Sequence, residues 1–357
     1  MKLPQVAGYR WIADGLLTSE AGLPVELATA DAVLLDVDGV LVEVSGSFRE
    51  VISLTVQYYF NRVLSVSGRE TLVTGEETGL FKLAGRYNND WELSDGAVAF
   101  ELMKLLEAGG GNGITTGRLR RQGPPLEEFT SAVKARGGGL DNTLQVVRER
   151  LEPDLHARFS ELYRPEQIKR IFMEHYAGQT HCRQLYGFDP EYYQGPGLVE
   201  KEVFLLDLHL AERLRATGVE FGILSGRTPE EADFLIRKHG LDRFLDPRFV
   251  ITDNGSFPGK PDPTGLRLLA ERMKFRGAIY VGDVPDDWTT VANYEAGRGT
   301  LPPVAGCLVS TGATSPELMQ GFYSRSAVHY LAADVNHLLS AWLAGRTAGK
   351  LVTEKSQ

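Results

Sequence analysis

The stretch Asp31-Ala-Val-Leu-Leu-Asp36-Val-Asp38-Gly-Val-Leu41 decides how this chain is read. Its apolar residues run almost unbroken into two aspartates. Such a run suits a strand covered on both faces, the pattern of a parallel sheet flanked by helices. Three further runs share the character: Val219-Glu-Phe-Gly-Ile-Leu-Ser225, Phe249-Val-Ile-Thr252 and Ala278-Ile-Tyr-Val-Gly-Asp283. Ala305-Gly-Cys-Leu-Val-Ser310 is a fifth. Helical patterns lie between them. Pro229 to His239 opens on proline and acids and closes on Arg-Lys-His-Gly, which matches helix start and stop chemistry. Thr264 to Lys274 is a second crossover. This alternation, from residue 198 onward, predicts an α/β core with a doubly wound parallel sheet.

The interval between the first strand and the others reads differently. Helical periodicity dominates Phe48 to Leu64, Asp95 to Leu106, Leu126 to Arg136, Leu151 to Tyr163 and Pro165 to Tyr176, with no clear buried strand. A mostly α-helical domain is therefore expected as an insertion over residues 49–197, splitting the core into 31–48 and 198–344. Residues 1–30 form an N-terminal extension, with Trp11 and Ile12 available to pack on the core or on a second subunit. Residues 345–357 form a polar tail expected to fray. Gly109 to Gly113 and Gly137 to Gly139 read as flexible loops. A phosphate cradle is the weaker alternative for the first, since no Gly-Lys-Ser/Thr follows it and no buried strand precedes it.

Composition narrows the function. With 357 residues, 43% hydrophobic and 24% charged, the chain has material for two packed domains. A formal charge of −9 argues against nucleic acid, which needs a concentrated basic face. Two distant cysteines, Cys182 and Cys307, make no disulfide framework and read as buried thiols in a reducing compartment. Nothing resembles a signal peptide or a bilayer span, so a cytoplasmic location with no membrane partner is expected. The oligomeric state is not legible.

Four short elements fall at the carboxyl ends of predicted strands, where open α/β sheets bind ligands. They are Asp36-Val-Asp38-Gly, Ser225-Gly226-Arg227, Lys260-Pro, and Gly282-Asp283-Val-Pro-Asp286-Asp287. Each is common singly; in this order, each after its own strand, they specify a chemistry. Phosphoryl transfer needs a nucleophile, charge neutralisation and protonation of the leaving oxygen. Asp36 suits the nucleophile, giving a covalent acyl phosphate. Asp38 suits the general acid and then the general base. Mg²⁺ held by Asp36, Asp283 and the Asp38 carbonyl would shield a carboxylate from a phosphate dianion. Lys260 adds fixed positive charge. Ser225 and the following backbone N–H groups, at Gly226 and Arg227, suit phosphate oxygens at a helix start. Asp287 would orient the site or meet the metal through water, and is preferred to Asp286.

On these residues the sequence resembles the haloacid dehalogenase superfamily, in the branch whose helical cap lies between the first and second motifs, as in phosphoglycolate phosphatase and beta-phosphoglucomutase-like proteins. The resemblance implies a Rossmann-like core, Mg²⁺ and an aspartyl-phosphate intermediate. It is specific over the core; over the cap it rests on position, and this cap is longer than usual for the branch. A phosphatase acting on a small soluble phosphate ester leads the readings. A phosphosugar mutase and a non-catalytic binding protein on the same fold are the alternatives, and dehalogenation, which needs neither the second aspartate nor a metal cluster, ranks below them.

Substrate readers are expected in the cap. Lys82, Arg86, Asn88, Asn89, Asp90 and Trp91 lie in one polar stretch beside aromatics, where related caps place a specificity loop. An Asn-Asn-Asp turn capping the next helix, with Trp91 in the core, explains the same residues. Arg49 suits an anionic group, whereas Ser45 and Ser47 read as hinge and cap. His175, His181 and Cys182 lack the spacing of a zinc site. Arg118, Arg120 and Arg121 read as a solvated basic face.

Overall fold

The computed structural model describes residues 3–44, 46–87, 89–110, 113–312 and 328–354, with side chains to residue 347. Two compact units divide the chain, Met1–Glu43 with Val203–Gln357, and Val44–Glu202. The second is wider than the 49–197 insertion expected from sequence. Its ends are tied to its own helices: Glu202 accepts hydrogen bonds from Ser47 (3.3 Å) and Tyr176 (3.0 Å), and Leu198 and Val199 are buried.

Among the described residues the first unit carries an eight-stranded sheet. Its strands are β1 (Tyr9–Ala13), β2 (Leu16–Ser19), β3 (Ala32–Leu35), β6 (Glu220–Leu224), β7 (Val250–Ile251), β8 (Ala278–Gly282), β9 (Val304–Val309) and β10 (Val328–Ala332); β4 (Val42–Glu43) and β5 (Val203–Phe204) form a separate antiparallel ribbon. The spatial order is β1-β2-β10-β9-β8-β3-β6-β7. From β10 to β7 all pairs are parallel. Strand β3 is the switch: later strands lie on both sides of it, with Ala32 level with Glu220 of β6 and with Ala278 of β8. Every residue of β3, β8 and β9 is buried, which is what unbroken apolar runs require. The mostly parallel sheet and its helices are an α/β Rossmann-like fold.

Both ends of the chain differ from the sequence expectation. Residues before 31 are not a mere extension: β1 and β2 form a hairpin whose second strand pairs antiparallel with β10. Leu16 and Leu17 are fully buried there, while Trp11 and Ile12 stay exposed on the outer strand. The stretch from 345 does not depart from structure at once, since helix Val335–Glu354 runs through it. Residues 355–357 lie outside the described residues.

The second unit is built on helix Asp90–Glu107, buried from Leu93 to Leu106. Around it stand Phe48–Tyr58, Leu126–Ala135, Gly139–Arg150, His156–Leu162 and Pro165–Tyr186. Helix Gly139–Arg150 was absent from the sequence reading, because the glycines before it look like a loop. They answer a close approach instead. A Cβ on Gly138, at φ 77°, would collide with the carbonyl oxygens of Ala84 and Gly85. The helix expected from Leu151 begins only at His156, after a 3₁₀ turn at Pro153–Leu155. The span Pro165–Tyr186 is two helical pieces broken at Gly178, whose φ of 61° and ψ of −177° are not helical; the first piece ends close to the expected Tyr176, and the second, to Tyr186, was not foreseen.

Candidate active site

The site grows from the switch strand. Asp36 follows β3 directly, and its N–H still donates to Val281 O (2.9 Å), so its position is set by the sheet. The chain then turns. Leu41 and Val42 donate to Val37 O at 2.8 and 3.0 Å, with Gly39 at φ 75°. Asp36 Oδ1 accepts the N–H of Val37 at 2.8 Å. Its other oxygen, Oδ2, lies 2.8 Å from Lys260 Nζ.

Lys260 is shared. Its Nζ also reaches Asp287 Oδ1 at 2.7 Å and Tyr280 Oη at 3.4 Å. Asp287, in the first turn of helix Pro285–Gly297, has both oxygens engaged. Oδ1 takes Lys260 and the Tyr280 hydroxyl (2.8 Å), and Oδ2 takes the N–H groups of Asp283 (2.8 Å) and Val284 (3.0 Å). Such a carboxylate serves to orient its neighbours. Gly282 has to be glycine, because a Cβ there would overlap the Asp287 carboxylate.

Asp283 is wedged between two glycines. A Cβ on either Gly39 or Gly312 would strike its carboxylate, and Thr311 donates to Gly39 O. The residues leaving β9 thus form a wall of the site that the sequence reading missed. Tyr280 was missed as well. Its signal was available: Tyr280 and Gly282 share a face of β8, and Asp287 packs on that face.

Ser225 closes another side. It is buried at the end of β6, its N–H donates to Ile251 O (3.0 Å), and its Oγ accepts the N–H of Arg227 (3.2 Å). Gly226 between them is half-buried. Thr228 and Glu231 form a reciprocal capping box at the start of helix Pro229–Lys238, which fixes where Arg227 leaves the turn. The Arg227 side chain is 1% exposed and donates through Nε (2.9 Å) and Nη2 (2.6 Å) to Asp38 Oδ1. Sequence had placed Arg227 with the substrate-binding groups; its guanidinium lies on Asp38.

The electrostatics are those of carboxylates crowded away from water. Burial pushes Asp36 above the ordinary range and Lys260 pulls it down, while the charges of Asp287 and Asp38 raise it further; the net direction is up. Burial would lower Lys260, but the Asp287 and Asp36 charges win and hold it well above its usual value. One ligand oxygen each from Asp36, Asp283 and Asp287 lies within 4.8 Å of the others. A buried all-oxygen cluster carrying more negative charge than one lysine balances fits a hard divalent cation. Asp286 stands outside that cluster.

In the helical unit, Lys82 forms an ion pair with Asp90 (2.8 Å) and reaches Tyr87 O (3.4 Å). Asn89 is the buried N-cap of helix Asp90–Glu107, without a side-chain capping bond. Trp91 is half-buried under Lys169 Nζ, 4.6 Å from its ring centroid. Arg86 is exposed at φ 61° and Arg49 half-buried. Asn88 and Ser45 lie outside the described residues. His175 stacks on Tyr193 (4.4 Å), His181 pairs with Glu200 and Cys182 is buried, so among the described residues they form no metal group. Arg120 binds Leu72 O (2.7 Å) and Glu77 (2.5 Å), while Arg118 and Arg121 are exposed. No helix among the described residues is long and apolar enough to cross a membrane.

A family model described as haloacid dehalogenase-like hydrolase matches residues 30–293, a span that includes every motif of this site. The chain belongs to the haloacid dehalogenase-like hydrolases. Among solved structures this hydrolase is similar to phosphatase Tt82 from Thermococcus thioreducens, at 22% identity and TM-score 0.56, over 88% of this chain and 99% of that one. It is also similar to a HAD family hydrolase from Deinococcus radiodurans, at 16% identity and TM-score 0.45, over 90% and 97% of the two chains. At 22% identity the likeness to the Thermococcus thioreducens structure speaks for the fold. No curated protein matches the sequence.

Proposed function

We propose that this hydrolase is a Mg²⁺-dependent phosphatase of small soluble phosphate esters, working through an aspartyl-phosphate on Asp36. The observation that carries the reading is the buried cluster of Asp36, Asp283 and Asp287 beside Lys260, at the switch point of the sheet. Asp36 and Asp283 would hold the cation, with the Asp38 carbonyl and, through water, Asp287. Bound there, Mg²⁺ supplies the charge neutralisation that lets a carboxylate approach a phosphate dianion.

The residues divide the work. The Asp36 carboxylate forms a bond to phosphorus as the ester P–O bond breaks, its electron pair passing to the leaving oxygen. Asp38 gives that oxygen a proton. In the second half, Asp38 takes a proton from water, the water oxygen bonds to phosphorus, and the P–O bond to Asp36 breaks to regenerate the carboxylate. The Ser225 hydroxyl and the Gly226 N–H suit the phosphate oxygens, the Arg227 N–H being taken by Ser225 Oγ. Lys260 steadies Asp36 and Asp287 throughout.

The test is phosphate release from a panel of phosphate esters with and without Mg²⁺, for the wild type and Asp36→Asn. Mg²⁺-dependent turnover that the substitution abolishes, with the melting transition retained, is the expected result. Turnover that survives in Asp36→Asn would sink the nucleophile assignment.

A further inference from the structure

The pairing of Arg227 with Asp38 goes further than the proposed function on which it rests. We propose that Arg227 is a positioning residue that makes Asp38 Oδ2 the oxygen that carries the proton to and from the reacting oxygens.

Arg227 cannot easily move to a substrate. Its N–H is held by Ser225 Oγ at 3.2 Å, and its carbonyl accepts the N–H of Asp253 at 3.0 Å. Its guanidinium is almost wholly buried, while the Asp38 side chain is 30% exposed. The interaction therefore runs from a fixed cation to a carboxylate at the surface of the site. Nε and Nη2 converge on one oxygen, Oδ1, at 2.9 and 2.6 Å. An oxygen that accepts two charge-assisted N–H bonds is a poor place for a proton. The proton of a neutral Asp38 consequently sits on Oδ2.

The turn at 36–42 makes this orientation matter. Asp38 stands two residues from the nucleophile on a turn closed by Gly39 N–H to Val42 O at 2.8 Å. Its backbone is fixed, and the carboxyl can still rotate about its side-chain bonds. Two donors on Oδ1 arrest that rotation, and they also counter the repulsion between Asp38 and Asp36 that burial intensifies. A lysine at 227 would keep the charge and lose the planar two-donor fork.

The leaving group provides the test. An alkyl alkoxide needs a proton as it departs, whereas p-nitrophenolate leaves without one. Single-turnover release from glycerol 2-phosphate and from p-nitrophenyl phosphate would be measured for the wild type, Arg227→Met, Arg227→Lys, Asp38→Asn and the double variant R227M/D38N. If Arg227 acts through Asp38, Arg227→Met loses at least about 30-fold more on the alkyl ester than on the aryl ester, a part of the roughly 10²–10⁴-fold that general acid catalysis supplies. Arg227→Lys falls between Arg227→Met and the wild type. The double variant loses little beyond Asp38→Asn, because the two residues act as one unit. Equal losses on both esters with a raised KM would show that Arg227 binds phosphate and would overturn the proposal. Additive losses in the double variant would overturn it as well. Should Arg227→Met fail to melt cooperatively, Arg227→Lys answers the same comparison. A wild type inactive on both esters counts against the phosphatase reading itself.

Discussion

The hydroxyl of Tyr280 lies 2.8 Å from Asp287 Oδ1, the same oxygen that takes Lys260 Nζ at 2.7 Å. Both side chains are buried, so the tyrosine closes the floor of the site. Burial and the neighbouring Asp287 charge hold its hydroxyl well above the ordinary tyrosine range, so it stays a donor throughout the working pH range. Tyr280→Phe keeps the ring and removes one hydrogen bond to a buried carboxylate. Loss of about 1.5–3 kcal/mol of stability is expected, with reduced turnover and an unchanged pH profile. Denaturant unfolding and a pH–rate series check this. A Tyr280→Phe protein as stable and active as the wild type would remove Tyr280 from the site.

Lys260 is the next case, because it faces two carboxylates at once. Removing it as Lys260→Met leaves Asp36 and Asp287 buried without that cation. Breaking a buried pair in this way costs about 3–5 kcal/mol. A divalent cation bound nearby would offset part of that cost, since it binds only the folded form. Melting of Lys260→Met should therefore rise more with added Mg²⁺ than melting of the wild type. Equal rises for both proteins would mean that the cation does not act on the carboxylates that Lys260 faces.

The site was legible in sequence where chemistry and strand ends coincide. Asp36, Asp38, Ser225 and Asp283 stand where the apolar runs stop, whereas Lys260 comes from the loop after β7 and Asp287 from the first turn of the helix after β8. Arg227 was legible as a residue and not as a contact, because a guanidinium has the same sequence signature whether it binds phosphate or a neighbouring aspartate. Gly312 and Thr311 gave no signal, since they reach the site through the fold, from the end of a strand two places away from β3. The hairpin Tyr9–Ser19 carried one that went unread. Asp14-Gly15 between apolar runs is a two-residue turn signature, and Gly15 sits at φ 64°. The glycines before helix Gly139–Arg150 misled in the other direction, a tight backbone approach imitating a loop.

Glu174 predicts an acid-sensitive element of the helical unit. Its fully buried side chain accepts N–H bonds from Glu191 (2.8 Å), Tyr192 (2.5 Å) and Tyr193 (2.9 Å), and Arg170 lies 2.6 Å away. Burial pushes its carboxyl up, but Arg170 and the three N–H groups outweigh burial and hold it below its ordinary 4.5. A lowered acid stabilises the fold above its unfolded value, and that contribution is lost as pH falls through the folded one. Wild-type stability should therefore drop below about pH 4.5 more steeply than that of Glu174→Gln. At pH 7 the substitution should cost about 2–3 kcal/mol, because the loop at 191–193 loses its charged acceptor. Parallel acid limbs for the two proteins would contradict this assignment.

Asp95 has the opposite sign. It is buried in helix Asp90–Glu107, and its Oδ1 has no hydrogen-bond partner among the described residues. Burial first, then the charges of Glu92 and Glu166, push its carboxyl from 3.8 up to about 8, against a weaker pull from Lys169. Between those values the folded chain holds a proton that the unfolded chain has released. Stability should therefore fall as pH rises through the window and level off above it. Asparagine does not titrate and fills the same space. Asp95→Asn should be more stable than the wild type at pH 8 by at least about 1 kcal/mol, and should lose that advantage toward pH 4. Urea unfolding at several pH values measures the difference directly. A difference that stays constant from pH 4 to 8 would mean that Asp95 is solvated or paired after all.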